Sequence, residues 1–125
     1  MIFTFAKTIS PYVQAEFELA RQADANNQPQ QAFIHLQNAH VLGQNSTYLH
    51  VKAHWLMLLW GVRQFQIKEV LGQLLRIIGA ATKTAIGWVP SGNTGGANIS
   101  PFKSLPLTTE HAQLIKLAQQ AARRE

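Results

Sequence analysis

The chain contains no cysteine among its 125 residues. It can therefore form no disulfide, no thiolate metal site and no cysteine nucleophile. It also lacks a run of about 18 apolar residues, which is the length that a membrane-spanning helix needs. The short apolar run at the amino terminus is followed, not preceded, by Lys7, which is unlike a signal peptide. We therefore expect a cytoplasmic protein without a transmembrane segment.

Acidic residues are also scarce, six against eleven lysines and arginines, so the formal net charge is +5. Between Lys52 and Lys103 the only acidic residue is Glu69. A positive surface could attract nucleic acid or an anionic membrane. The basic residues are not adjacent there, and aromatic residues are not interleaved with them in a recognisable nucleic-acid motif. A mildly basic, solvated surface is therefore the favoured interpretation, and nucleic-acid binding is not favoured.

The length fits one domain, residues 1–125, and 46% of the residues are hydrophobic, as in an ordinary globular protein. Apolar residues recur at helical spacing in five segments. These segments cover residues of about 10–25, 29–42, 46–63, 67–86 and 109–123. The sequence therefore predicts an all-α bundle of about five helices. The first two segments are typical of a tetratricopeptide-like hairpin, but its period of about 34 residues does not recur, which excludes a repeat array.

Local signals predict the ends and faces of these helices. Ser10 can cap the first helix, with Pro11 at its first position. The third helix is apolar on most faces, which is typical of a central helix. Its Trp55 and Trp60 belong either to the core or to the interface of a homodimer. The fourth helix is predicted to turn one apolar stripe inward, formed by Ile67, Val70, Leu71, Leu74, Ile78, Ala81 and Ala85.

Three histidines are predicted to approach one another. His50 and His54 are four residues apart and share a face of the third helix. His40 lies on the inner face of the second helix, just before a short turn, and Glu16 lies at the edge of the stripe of the first helix. Imidazoles and a carboxylate are ligands of zinc, iron or manganese, so a metal site of these four residues is one hypothesis. The alternative is a set of core histidines bonded to backbone and carboxylates.

Two further residues are secondary candidates for this site. Met57 continues the stripe of His50 and His54, although a methionine in an apolar helix is usually packing. Glu69 is the available general base if the metal supports hydrolysis or redox chemistry, and whether the protein is an enzyme stays open. His35 and His111 fall outside the predicted cluster, and we expect them at the surface.

A long loop rich in glycine and proline is predicted over residues 87–107. Its candidate ligand-binding stretch consists of Gly92, Asn93, Thr94, Gly95 and Gly96. Such a stretch can turn successive N–H groups toward an anion. It is not a phosphate-binding P-loop, because the Gly-Lys-Ser/Thr ending and the preceding strand are missing. The favoured interpretation is an ordered structural turn with side chains bonded to its own backbone. A cover over the histidines is the alternative.

Four blocks of the sequence resemble, in the same order, a family of short bacterial proteins known as domain of unknown function 3703. The blocks are residues 39–44, 50–57, 69–76 and 90–98. The family implies no activity, but the resemblance implies which positions form its pattern. Those positions are Glu16, His40, His50, His54, Glu69 and the loop from Gly92 to Gly96. The resemblance therefore adds weight to the metal hypothesis.

Three functional hypotheses remain at this point. The first is a helical protein that binds a transition metal through the histidine and glutamate cluster. The second is a non-enzymatic adaptor that binds a protein partner through the groove of its first hairpin, with the histidines dispersed. The third, which is the least favoured, is a basic domain that docks on nucleic acid or anionic membrane.

Overall fold

The computed structural model describes residues 2–83 and 90–124, with side chains over residues 4–82 and 90–124. This part of the chain forms five α-helices and no strand. The helices are α1 (Ile2–Ala25), α2 (Pro29–Gly43), α3 (Thr47–Arg63), α4 (Ile67–Lys83) and α5 (Thr109–Arg123). The predicted all-α bundle is confirmed. None of these helices combines the length and the apolar character that crossing a membrane requires.

Capping chemistry defines the starts of three helices. Pro29 opens α2, where its fixed φ angle and missing N–H cause no loss. The hydroxyl of Ser46 accepts a hydrogen bond from the backbone N–H of Leu49 at 3.4 Å and begins α3. The hydroxyl of Thr108 accepts one from the backbone N–H of His111 at 3.1 Å and begins α5. The predicted end of the fourth helix and the start of the loop, residues 84–89, lie outside the described residues.

The first helix begins at Ile2, so the predicted start at Ser10 is wrong. Phe5 and Ile9 continue the four-residue spacing of Val13, and all three side chains are buried. Their burial stabilises two further turns of helix. This gain outweighs the loss of a backbone hydrogen bond at Pro11, which lies inside α1.

The core is formed mainly by the hairpin of α1 and α2, with α3 and α5 packed on it. The helix α1 contacts α2 and α5, and α3 contacts α2 and α4. Buried apolar residues on α1 are Phe5, Ile9, Val13, Phe17, Ala20 and Ala23. They meet Ala32, Leu36 and Ala39 of α2, Ala53, Met57 and Trp60 of α3, and Ile115 and Ala118 of α5. The tetratricopeptide-like geometry of the hairpin stays a prediction.

The orientation of α4 differs from the prediction. Most of its large apolar residues are exposed, whereas its polar stripe of Glu69, Gln73 and Arg76 faces the bundle and the loop. The predicted inner face is therefore wrong for five of its members, which are all exposed: Ile67, Leu71, Leu74, Ile78 and Ala81. Val70 is half-buried, and Ala85 lies outside the described residues. The physical reason is that this polar stripe finds hydrogen-bond partners on the inner side: His54, the backbone N–H of Ala97 and the carbonyl of Ile99.

Candidate metal centre

The end of α2 and the start of α3 bring three imidazoles together. His40 lies in the last turn of α2, and His50 and His54 lie one turn apart on α3. All three residues are buried, with 2–4% of their surface exposed. The Nε2 atom of His40 is 3.0 Å from Nε2 of His50 and 3.1 Å from Nε2 of His54. One ligand atom of each histidine lies within 4.8 Å of the other two.

Hydrogen bonds at the far side of two rings fix their tautomers. Nδ1 of His40 donates to the backbone carbonyl of Asn93 at 2.7 Å. Nδ1 of His54 donates to Oε1 of Gln73 at 2.6 Å. The Gln73 amide is itself oriented, because its Nε2 donates to Glu69 at 3.0 Å and to the carbonyl of Gly95 at 2.8 Å. In their neutral forms both imidazoles therefore turn an unprotonated Nε2 toward the cluster.

This arrangement places two lone pairs against each other. The Nε2 atoms of His40 and His54 are both acceptors in the neutral state, yet they lie 3.1 Å apart. Two acceptors at this distance repel unless a proton or a metal cation lies between them. A proton shared between the rings, such as one donated by Nε2 of His50 at 3.0 Å from Nε2 of His40, or a cation bound by the rings, relieves this repulsion.

The glycine-rich loop covers this cluster with backbone. Gly95 has a φ of +84°, and a Cβ built on it would lie 2.6 Å from Cδ2 of the His40 ring. A residue with a side chain could not approach the imidazole so closely. Gly92 has a φ of +76° and passes against the backbone of Leu105, where a Cβ would collide with the carbonyl. The two glycines thus allow the loop to close over the histidines.

Asn93 organises the loop around its own backbone. Its Oδ1 accepts from the N–H of Gly95 at 2.9 Å, and its Nδ2 donates to the carbonyls of Ser100 and Lys103 at 2.8 and 2.7 Å. The Asn93 side chain therefore forms hydrogen bonds within the loop, as in the structural turn predicted from the sequence. Its backbone carbonyl accepts from His40, as in the predicted cover over the histidines. Thr94, the next residue, is half-buried.

A small cavity of about 10 Å³ adjoins the rings, which is enough for one water molecule or ion. Arg76 forms part of its wall and donates to the carbonyls of Ile99 at 2.5 Å and Gly72 at 3.1 Å. Burial lowers the pKa of the Arg76 guanidinium from its ordinary value, and the charge of Glu69 acts in the opposite direction. Arginine stays protonated under such shifts, so the cavity wall carries a positive charge.

The structure does not bring Glu16 to the three histidines. Its Oε2 accepts from Nδ1 of His35 at 2.7 Å and from Nδ2 of Asn38 at 3.4 Å. His35 and Asn38 are three residues apart on the side of α2 that faces α1, whereas His40 follows Asn38 by about 200° of helical rotation. Glu16 and His40 therefore act on opposite sides of α2. His35, expected at the surface, is half-buried in this pair.

The secondary candidates have different surroundings. Met57 is fully buried in the apolar core. Glu69 lies behind the cluster, where its Oε2 accepts from Gln73 and, at 2.8 Å, from the backbone N–H of Ala97. His111 lies in the first turn of α5, outside the histidine cluster. Glu69 therefore reaches the histidines through Gln73.

Sequence reasoning did not assign Gln73 and the carbonyl of Asn93 to the site. The signal for Gln73 is its position between Glu69 and Arg76, on the same polar stripe of an otherwise apolar helix. No sequence signal identifies a backbone carbonyl as the partner of His40, because that contact joins residues 53 positions apart.

Residues 7–115 match the family described as "Protein of unknown function (DUF3703)". The matched range contains the three histidines, Gln73 and the glycine-rich loop. Neither the curated proteins nor the solved structures contain a match to the chain. Because the family match spans well over half of the chain, the protein belongs to the DUF3703 family.

Proposed function

We propose that the protein binds one transition-metal ion through the Nε2 atoms of His40, His50 and His54. The observation that supports this proposal most directly is the 3.1 Å separation between Nε2 of His40 and Nε2 of His54. Both atoms are oriented as acceptors by the bonds of their Nδ1 atoms to Asn93 and Gln73. A metal cation accepts both lone pairs and takes Nε2 of His50, 3.0 Å from Nε2 of His40, as its third ligand atom.

The distances agree with a shared ion. Zinc–imidazole bonds of about 2.0–2.1 Å separate two nitrogens by roughly 3.3 Å in a tetrahedral site and roughly 3.0 Å in an octahedral one. The observed separations of 3.0 and 3.1 Å fall near this range. Small rotations of the rings would be enough to admit an ion.

The donor set favours zinc or iron over manganese. The cluster offers three imidazole nitrogens, and Glu16, the predicted carboxylate ligand, is paired with His35. Imidazole suits zinc and iron, whereas manganese prefers carboxylate and carbonyl oxygens. Three protein ligands leave at least one coordination position for water, which is the arrangement of catalytic zinc sites.

The enclosure of the site limits the size of any ligand or substrate that could reach a bound ion. The rings are buried, the loop backbone covers His40, and the adjoining cavity holds about one water molecule. These features favour holding an ion, or acting on a ligand of that size, over chemistry on a large substrate.

The basic-surface hypothesis has less support. It requires Lys52, Arg63, Lys68 and Arg76 to form one open cationic face. Arg63 donates to Asp24 at 2.8 Å, Arg76 is bonded to the loop, and Lys52 lies over the ring of Phe17. These contacts reduce the charge available to a polyanion.

The test is the metal content of purified, untagged protein, measured by elemental mass spectrometry. We expect about one transition-metal ion per chain in the wild type and almost none in His54→Ala. His111→Ala is the matched control, because this histidine lies outside the cluster, and it should keep the ion. Circular dichroism shows whether each variant is folded.

The proposal is wrong if the folded wild type is metal-free and added zinc, iron or manganese neither binds in calorimetry nor raises the melting temperature. Equal metal loss in His111→Ala and His54→Ala would also contradict it.

A further inference from the structure

The outer face of α4 is an apolar surface without a partner among the described helices. It consists of Ile67, Leu71, Leu74, Leu75 and Ile78, which are 49–73% exposed. The inner side of the same helix is held by Gln73 and Arg76, so the helix cannot rotate this surface into the core without breaking those bonds. Soluble monomers rarely expose so many contiguous large aliphatic side chains.

Phe65 extends this surface at its amino-terminal end. Its side chain is 90% exposed, and its backbone has a φ of +55°, a left-handed conformation that bulky residues rarely adopt. The neighbouring Val62 is also more than half exposed. The left-handed conformation ends α3, because the N–H of Phe65 donates to the carbonyl of Val62 at 3.2 Å and that of Gln66 donates to the carbonyl of Gly61 at 2.8 Å. This turn leaves the aromatic ring in solvent beside the start of α4.

The spacing of the outer face matches helix pairing. Ile67, Leu71, Leu74 and Ile78 follow intervals of four, three and four residues, which is the pattern of the seam between two paired α-helices. Together with Leu75, Val62 and Phe65, these side chains expose on the order of 800 Å², about what each partner contributes to a stable protein interface. We propose that two copies of the chain pair through the outer faces of α4 to form a symmetric homodimer.

The charges around this face favour a second copy over a lipid surface. A helix that lies on an anionic membrane carries several lysines or arginines along its polar side. Among the described side chains of α4, the polar side carries Glu69, Gln73 and Arg76 bonded inward, and Lys68 is the only exposed cation. A nearly uncharged seam is self-complementary, because two identical copies meet without like-charge repulsion.

The first test is sedimentation equilibrium of the wild type and Leu71→Glu. We expect a wild-type dimer at micromolar concentration and at least a 100-fold weaker association in the variant, because two carboxylates would enter the seam. Leu117→Glu on α5 is the matched control, because Leu117 has a similar exposure but lies off this face, and it should dimerise like the wild type. Leu71 is exposed, so circular dichroism should show both variants folded.

The second test uses the absence of native cysteine. Leu71→Cys and Leu74→Cys, each a single thiol near the middle of the seam, should form disulfide-linked dimers under mild oxidation. Ile34→Cys, an exposed position on α2, should stay monomeric.

A wild type that remains monomeric up to millimolar concentration, with no cross-linking at position 71 or 74, overturns the proposal. So does a monomer that binds vesicles containing anionic lipid and loses this binding in Leu71→Glu, because the occupant of the face would then be a membrane. None of these outcomes depends on metal binding.

Discussion

Helices α1 and α4 are both amphipathic, and they turn their apolar stripes in opposite directions. Ile9 of α1 is fully buried between α2 and α5, whereas Ile78 of α4 is 67% exposed. The polar side of α1 faces water. The polar side of α4 faces His54 and the loop, where Gln73 is fully buried. Amphipathicity therefore identifies two faces of a helix but does not decide which one packs inward.

The deciding factor is the set of partners that each face finds. A buried amide destabilises a fold unless its donors and acceptor are bonded. Both ends of the Gln73 amide are bonded, to His54 on one side and to Glu69 and Gly95 on the other. The apolar stripe of α1 finds α2 and α5 instead.

Isoleucine-to-alanine substitutions on the two stripes should differ most in their effect on stability. Ile9→Ala should lower the free energy of unfolding by about 2–4 kcal/mol, because it leaves a cavity in the core. Ile78→Ala should lower it by less than about 1 kcal/mol at concentrations low enough to keep the chain monomeric, because the Ile78 side chain is then exposed. Urea unfolding measures both, and equal losses would contradict the comparison.

The next prediction compares adjacent glycines of the loop. Gly95→Ala should lower stability by about 1–3 kcal/mol and weaken metal binding, because it combines a positive φ with contact on the His40 ring. Gly96→Ala should do less, since its Cβ would meet the end of the exposed Asn98 side chain, which can rotate away. Thermal unfolding and zinc calorimetry test this pair, and a larger effect at position 96 would count against it.

A third prediction concerns the polar side of α4. Gln73→Leu should weaken zinc binding by about 10- to 100-fold, because His54 loses the group that orients its ring. Gln66→Leu, at an exposed glutamine just before α4, should leave the affinity unchanged. Competitive titration against a zinc chelator measures both. Equal affinities for Gln73→Leu and the wild type would show that Gln73 does not orient the ligand.

The smallest effect is expected on the solvated side of α1. The hydrogen bond from Arg21 lowers the pKa of the exposed Glu18 carboxyl. Any stabilisation is therefore present at neutral pH and lost as the pH falls through the lowered pKa. Water screens this exposed pair, so the melting temperatures of Glu18→Gln and the wild type should agree within about 1 °C at pH 7. A clearly larger difference in melting temperature would show that the Glu18–Arg21 pair contributes to the stability of the fold.

Sequence patterns predict much of the fold and the central part of the site. Helical periodicity, Pro29, Ser46 and Thr108 locate three helices to within a residue or two. The proximity of His40, His50 and His54 follows from helical spacing and one short turn, which are local properties. That these histidines bind a metal stays a prediction.

The remaining features depend on contacts between distant segments. Glu16 of α1 is predicted to lie near His40, but the side of α2 that it contacts depends on how α1 packs against α2. In the structure it contacts the side that carries His35. The start of α1 depends on whether the burial of Phe5 and Ile9 stabilises the helix by more than Pro11 destabilises it, and this burial is provided by other helices. The direction of α4 depended on polar partners, one of which is the carbonyl of Gly95. A single helical segment does not contain this information.

The covering of His40 by the backbone of Gly95 has a consequence for kinetics. The three histidines lie within one 15-residue segment, 40–54, whereas the groups that orient them follow 19 and 53 residues later in the chain. The three histidines therefore approach one another through local contacts, whereas the groups that orient two of them are brought in by long-range contacts. For the proposed metal site, we expect the exchange of an ion to be limited by the rate at which the loop lifts from His40, so that the loop governs residence time as well as affinity.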